Sequence, residues 1–317
     1  MTEQVPVPGR RLHIAGRIGL LALICLAGWI VANNGSAWLR QLQGFSWEPR
    51  WHLLIIAVVV TAISYGFTPT CWVWLCRGAG SSATTSELRS AWFVSQLGRY
   101  MPGKIWLFAG RAGYLKTSGM PTVTATSVPF IELIYTAAAA GVSATVLALA
   151  SRSFSYGDST LRAAVIAAGV CMMAVPLLSP VLKLLFRLRY RREPENLPVP
   201  GFSGMLRIVG VFTLLWWSRG FALYLWLTGF GLPTAGPATC MAAAPLSWLA
   251  GYIVFLVPGG IGVREAAVIT LAVPLGQTGP ALAVVAGERL ILGILELGYA
   301  LGSAGRNGLL SVRKGHR

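Results

Sequence analysis

Arg99-Tyr100-Met101-Pro102-Gly103-Lys104 interrupts an apolar stretch over residues 86–117, and Val257-Pro258-Gly259-Gly260-Ile261-Gly262-Val263-Arg264-Glu265 interrupts a second over 240–275. Pro102 and Gly103 precede Pro258 and Gly259 by 156 residues, and Glu132 precedes Glu288 by the same 156. A Pro-Gly break and an acidic residue thus recur at matched places in two halves of an apolar chain, which marks a duplicated membrane unit. Carboxylates in hydrocarbon are costly and tend to be functional. Helices interrupted by Pro and Gly in corresponding halves point to a substrate site in a repeat-built carrier.

Composition supports a membrane setting. Hydrophobic residues make up 55% of the chain and charged residues 11%, against about 25% charged in an ordinary soluble domain. A net charge of +16 would suggest nucleic acid in a soluble protein. Here Lys and Arg cluster in short segments between apolar runs, which is the pattern of the positive-inside rule, and no nucleic-acid partner is expected. Cys25, Cys71, Cys76, Cys171 and Cys240 all fall in apolar segments without a paired C-x-x-C, so they read as small buried hydrophobes. His13, His52 and His316 are scattered near segment ends, and no metal site or cofactor is expected.

About 20 apolar residues cross a bilayer. That criterion predicts six spans, at 12–32, 51–75, 122–150, 161–186, 205–230 and 279–303, the first a retained helix and not a cleaved signal. The regions 86–117 and 240–275 each read as two short helices entering and leaving on one side, since irregular backbone is tolerated at membrane depth where protein or a polar cavity satisfies it. A cytoplasmic N-terminus puts nineteen Lys and Arg in the inside segments, against Arg40, Arg50, Arg152 and Arg162 outside. Both termini are therefore expected in the cytoplasm. The fold class expected is an all-α polytopic membrane protein with two re-entrant helical hairpins in an inverted repeat. The whole chain, 1–317, is one membrane domain, with a first repeat over 51–186, a cytoplasmic linker over 187–204 and a second repeat over 205–305.

Gly98 to Lys104 matches the first seven positions of the phosphate loop G-x-x-x-x-G-K-[ST], but Ile105 lacks the hydroxyl that would bind magnesium and no strand precedes it. ATP binding is therefore not expected. A helix restarting after Pro102-Gly103 aims free N–H groups and a positive dipole end at the break, with Arg99, Lys104 and Arg111 close in sequence. These cations could hold a lipid phosphate or merely serve the cytoplasmic charge bias. In the second hairpin the glycines allow close approach to a ligand or close helix packing.

Glu132 and Glu288 lie about ten residues into their spans, near mid-bilayer at about 1.5 Å per residue. Arg219 and Arg289 are their evident counter-charges, either in a switchable polar centre or in an ion pair that only fixes packing. Glu296 extends a polar track towards the cytoplasm, and Gly298-Tyr299-Ala300-Leu301-Gly302 has the G-x-x-x-G spacing of a helix-packing face. No nucleophile and base arrangement stands out, so an enzyme is not expected.

At these residues the chain resembles the flippase-like transmembrane region of lysylphosphatidylglycerol synthases and its stand-alone relatives. The resemblance rests on Arg99 through Lys104, Arg111, Glu132, Pro258 through Glu265, and Glu288-Arg289, and spans about residues 12 to 305. It implies movement of lipids between leaflets, with the separate soluble aminoacyl-transferase domain expected to be missing. The expectation is an inner-membrane lipid translocase without ATP hydrolysis. Arg99, Lys104, Arg111 and Arg264 would hold phosphate, and Pro102, Gly103, Pro258, Gly259 and Gly260 would form the breaks. Glu132, Arg219, Glu265, Glu288, Arg289 and Glu296 would form the midplane centre. The partners expected are a membrane lipid and, in a rival reading, a lipid-modifying enzyme for which the chain is an accessory or scaffold. A membrane enzyme acting on a lipid-linked sugar is the other rival.

Overall fold

The computed structural model describes residues 32–101, 105–150, 166, 200–254, 257–274 and 276–306. The described residues form helices and no strand. After a helical segment over 32–43, the elements are α1 (Trp51–Phe67), α2 (Pro69–Gly78), α3 (Thr85–Gln96), a 3-10 turn (Leu97–Tyr100), α4 (Ile105–Thr117), α5 (Thr122–Ala150), α6 (Phe202–Gly229), α7 (Pro237–Ile253), a 3-10 turn (Pro258–Gly260), α8 (Val263–Ala272) and α9 (Thr278–Arg306). Residues 51–78, 122–149 and 202–229 are long and apolar enough to cross a bilayer. Helix α9 has the length, but Glu288, Arg289 and Glu296 interrupt its hydropathy. The expected spans at 12–32 and 161–186, most of the linker, and Pro102, Gly103 and Lys104 lie outside the described residues.

Local chemistry sets the helix ends. Pro69 opens α2 in the first turn, where its missing N–H costs nothing. Thr84 caps α3 by accepting from the Glu87 amide while the Glu87 carboxylate accepts from the Thr84 amide. Around the second break, Gly259, Gly260 and Gly262 have φ of 61°, 69° and 84°, a left-handed conformation that side-chain-bearing residues resist.

Each interrupted region folds back on itself. In the first, Gly98 packs against the backbone of Trp106 and Leu107, and Arg111 Nε donates to Ser95 Oγ at 3.1 Å, so α3 and α4 are antiparallel arms. In the second, the Ala235 amide donates to the Ala272 carbonyl at one end, while Gly251 and Gly260 touch at the other. A Cβ on Gly260 would lie 2.9 Å from the Gly251 Cα, so close backbone packing is the reason for that glycine. The two tips meet, with the Tyr100 ring beside Gly259.

The halves also share an internal pattern. Helices α5 and α9 are each 29 residues long, and both their ends are 156 positions apart. Helix α5 of the first half packs on α7 of the second, and α9 of the second packs on α3 of the first. Helices α1 and α2 pack in turn along α6: the Arg50 amide at the start of α1 donates to Gly229 O, Ser64 Oγ of α1 approaches Leu215 O, and Cys71 Sγ of α2 approaches Ile208 O. That order makes α1 and α6 antiparallel. Cys71, Cys76 and Cys240 are buried thiols, as expected of small apolar fillers.

Candidate functional site

Where the hairpin tips meet, they enclose a cavity of about 100 Å³. One water needs about 10–15 Å³ on this measure, so the space suits several waters or a phosphate-sized group and is far smaller than a whole lipid. Arg99, Arg111, Arg219 and Arg264 line it together with Glu132 and Glu296, and Trp92, Trp216, Trp248 and Tyr252 supply aromatic walls. Arg289, Glu265 and Glu288 complete the ionic cluster around the second tip. Among the described residues, five guanidiniums therefore meet four carboxylates.

The pairing differs in part from the sequence expectation. Glu132 is 4% exposed and pairs with Arg111, not with Arg219 or Arg289, and it also accepts from Trp92 Nε1 at 2.7 Å. Arg111 is itself 4% exposed and packs its guanidinium against the Trp72 and Trp92 rings. Hairpin one is thereby pinned to α5 by a buried ion pair. Arg264 and Glu265, adjacent in sequence, do not pair with each other. Glu265 instead pairs with Arg289 and accepts from the Gly262 amide at 2.6 Å, capping α8. Arg289 also donates to the Gly259 carbonyl at 2.8 Å, which holds the second tip.

Glu296, fully buried, accepts from the Tyr100 hydroxyl at 2.7 Å and pairs with Arg99, so it holds the first tip. Arg219 donates to Thr68 Oγ1 at 2.8 Å and stacks on Trp216. Arg264 lays its aliphatic stem on Gly251, where a Cβ would meet Arg264 Cγ, and its buried Nε has no hydrogen-bond partner among the described residues. Glu288 stands in the field of Arg264, Arg289 and Arg219. The cluster brings together every described residue of the expected phosphate site and midplane centre.

Two groups of site residues escaped the sequence reading. Tyr100 was seen only as part of the break, yet it bonds Glu296. The aromatic walls carried a usable signal, since Trp92 and Trp248, and Gln96 and Tyr252, line the cavity as pairs 156 positions apart. Among the described residues a Cβ on Gly298 or Gly302 would meet nothing within 4 Å, and both border a groove beside α3.

The arrangement can do three things chemically. It can bind an anion between guanidiniums, exchange ion-pair partners in a low-dielectric interior, and hold two hairpin tips together. Among the described residues no group of His, Cys, Asp and Glu could hold a metal ion. No curated protein matches the chain significantly. The family described as lysylphosphatidylglycerol synthase TM region matches residues 16–295, nearly the whole chain and every residue lining the cavity except Glu296. Apolar helices, a charged cavity between two broken hairpins and that match agree on a membrane protein with a lipid-related role, and the chain belongs to the lysylphosphatidylglycerol synthase transmembrane-region family.

Proposed function

We propose that the protein is an inner-membrane lipid translocase that works without ATP hydrolysis, holding a phosphate-bearing headgroup between its two hairpins while the acyl or prenyl tails stay in lipid. The observation that carries this reading is the meeting of Tyr100 and Gly259 over a cavity lined by four arginines. Carboxylates already bind two of those guanidiniums, Arg99 and Arg111. An entering phosphate can therefore exchange with a carboxylate and does not have to create a new buried charge, which would cost several kcal/mol. Lys104, on the far side of the first break in sequence, is assigned to the same phosphate site.

The helix order supports an inverted repeat. Two helices related by a twofold axis run antiparallel only when that axis lies perpendicular to them, and α1 and α6 are antiparallel. For helices that span the membrane, such an axis lies in the membrane plane. The hairpins are then re-entrant from opposite faces, which is the layout of carriers with alternating access. The charge count puts both termini in the cytoplasm.

A rival reading, an accessory or scaffold for a lipid-modifying enzyme, draws support from the pairing of Glu132, Glu265 and Glu296, since a fully paired centre can serve packing alone. Reconstitution in liposomes with labelled phospholipids and polyprenyl phosphates separates the two. Transfer between leaflets is the expected result. No transfer of any lipid, with the protein folded and correctly inserted, would leave the scaffold reading standing.

A further inference from the structure

We propose that the Tyr65 hydroxyl donates a hydrogen bond to the headgroup phosphate, acting with Arg219 from the α1/α6 side of the cavity as Arg264 does from the second hairpin. The proposal rests on the translocase reading and adds a neutral donor that neither charge nor motif pointed to.

Tyr65 is 1% exposed, and its ring packs on Trp92, Phe93 and Tyr299. Two of these neighbours carry polar atoms, and both are satisfied inside the protein. Trp92 Nε1 donates to Glu132 Oε1 at 2.7 Å, and the Tyr299 hydroxyl donates to Ala62 O at 2.9 Å. The Tyr65 hydroxyl has no hydrogen-bond partner among the described residues. Buried Tyr hydroxyls usually find a partner, and leaving one without is costly.

Position supplies the reason, because Tyr65 lines the cavity. Of the buried side-chain polar atoms that lack a partner among the described residues, those on cavity-lining residues are the Tyr65 hydroxyl and Arg264 Nε. One comes from the first half of the chain and the other from the second. Two unpaired donors facing one cavity of about 100 Å³ fit an oxyanion, and the two non-bridging oxygens of a phosphodiester can accept from both sides.

The chain fixes this wall of the cavity at the break between α1 and α2. Pro69 has no N–H to give the Tyr65 carbonyl, which accepts instead from the Thr68 amide at 3.2 Å. Thr68 Oγ1 donates to Ser64 O at 3.0 Å and accepts from Arg219 Nη2 at 2.8 Å. That contact leaves Nη1 and Nε of Arg219 for an anion, and Thr68 and Arg219 line the cavity beside Tyr65. On the other side, Gly251 lets Arg264 lie close, since a Cβ there would be 2.5 Å from Arg264 Cγ. A hydroxyl adds a hydrogen bond to the phosphate without adding another buried cation, whose own desolvation would be costly.

The test is thermal unfolding of the full-length protein in detergent, titrated with dihexanoyl phosphatidylglycerol, with inorganic phosphate, or with dihexanoylglycerol, which has no phosphate. Leaflet transfer of labelled phosphatidylglycerol in proteoliposomes is measured in parallel. Tyr65→Phe keeps the ring and removes the hydroxyl. The expected result is an unfolding temperature without ligand no lower than that of the wild type, and a Kd for the short-chain lipid weakened about tenfold or more. Tyr299→Phe, in the same aromatic cluster, should do the opposite, with a lower unfolding temperature and an unchanged Kd. Equal Kd values for wild type and Tyr65→Phe would overturn the proposal. So would a lower unfolding temperature of ligand-free Tyr65→Phe, which would show that the hydroxyl bonds within the protein. Stabilisation by inorganic phosphate as strong as by the lipid would make free phosphate the ligand, and equal stabilisation by dihexanoylglycerol would place the contact on the chains; either removes the headgroup assignment. No stabilisation of the wild type by the short-chain lipid overturns the proposal as well. Unchanged affinity and transfer in Tyr65→Phe sink this donor and leave the translocase reading intact. Lipid binding that needs the hydroxyl, without transfer in the wild type, does the reverse.

Discussion

Arg289 and Glu296 stand two turns apart on one face of α9 and hold opposite hairpins. Arg289 donates to Gly259 O and pairs with Glu265, while Glu296 receives Arg99 and the Tyr100 hydroxyl. Seven residues at 3.6 per turn bring two side chains nearly into line. A single helix, with one cation and one anion, thus fixes the relative position of both tips and the width of the cavity between them.

The first prediction concerns the Glu296 clasp. Glu296→Gln keeps an acceptor for Tyr100 but leaves Arg99 uncompensated, and removing one partner of a buried pair costs about 3–5 kcal/mol. Arg99 is partly exposed, at 20% of its side chain, so the loss is expected at the low end. Unfolding of Glu296→Gln, Arg99→Gln and the double variant forms a cycle in which the double is less destabilised than the sum. Simple additivity would show that the two residues do not interact.

Arg111 and Glu132 behave differently because both are buried. Arg111→Ala is expected to strand Glu132 and to destabilise the protein by about 3–5 kcal/mol. Replacing both, as Arg111→Met with Glu132→Leu, should recover most of that loss while leaving transport low. Thermal unfolding in detergent gives the first quantity and proteoliposome transfer the second. A stable, fully active Arg111→Ala variant would deny the pair both roles.

At Arg264 the expected loss is in binding. Its Nε has no hydrogen-bond partner among the described residues, so that N–H is left to donate to a headgroup oxygen. Hydrogen bonds to charged groups contribute about 1.5–3 kcal/mol. Arg264→Gln should therefore weaken affinity for a phosphate headgroup about 10- to 100-fold, read as lipid retention in native mass spectrometry. Unchanged retention would remove Arg264 from the headgroup site.

Glycines separate packing from open space. Gly220 faces the Met241 backbone so closely that a Cβ cannot fit, and Gly220→Ala is expected to destabilise by about 1–3 kcal/mol through overpacking. Gly298→Ala meets nothing and is expected to stabilise by about 0.5–1 kcal/mol through helix propensity. Reversal of the two signs in thermal unfolding would contradict the helix contacts described above.

Orientation is tested by cysteine labelling in intact cells. Thiols at Gly35→Cys and Gly157→Cys should react with an impermeant reagent, and one at Arg192→Cys should not. Reaction at 192 from outside would reverse the charge-based orientation.

Much of the frame was legible in the sequence because helix length and Pro-Gly breaks are local signals. The predicted span 279–303 lies within α9 at 278–306, and 205–230 nearly coincides with α6 at 202–229. Ion-pair partners were less legible. Arg264 and Glu265 are adjacent in sequence, yet neighbouring helix positions point about 100° apart and rarely face each other, and Glu265 pairs with Arg289. Glu132 finds Arg111 only because α4 folds back onto α5, a tertiary contact that span hydropathy does not encode.

The residues on α5 that match Arg289 and Glu296 of α9 are Leu133 and Ala140. Of these two long helices α9 alone carries the pair of anchors, so a fragment ending after α5 would leave Arg99 and Tyr100 without the acceptor that Glu296 provides. Helices of equal length at matched positions carry unequal work, and the later one holds the hairpin that precedes the earlier one.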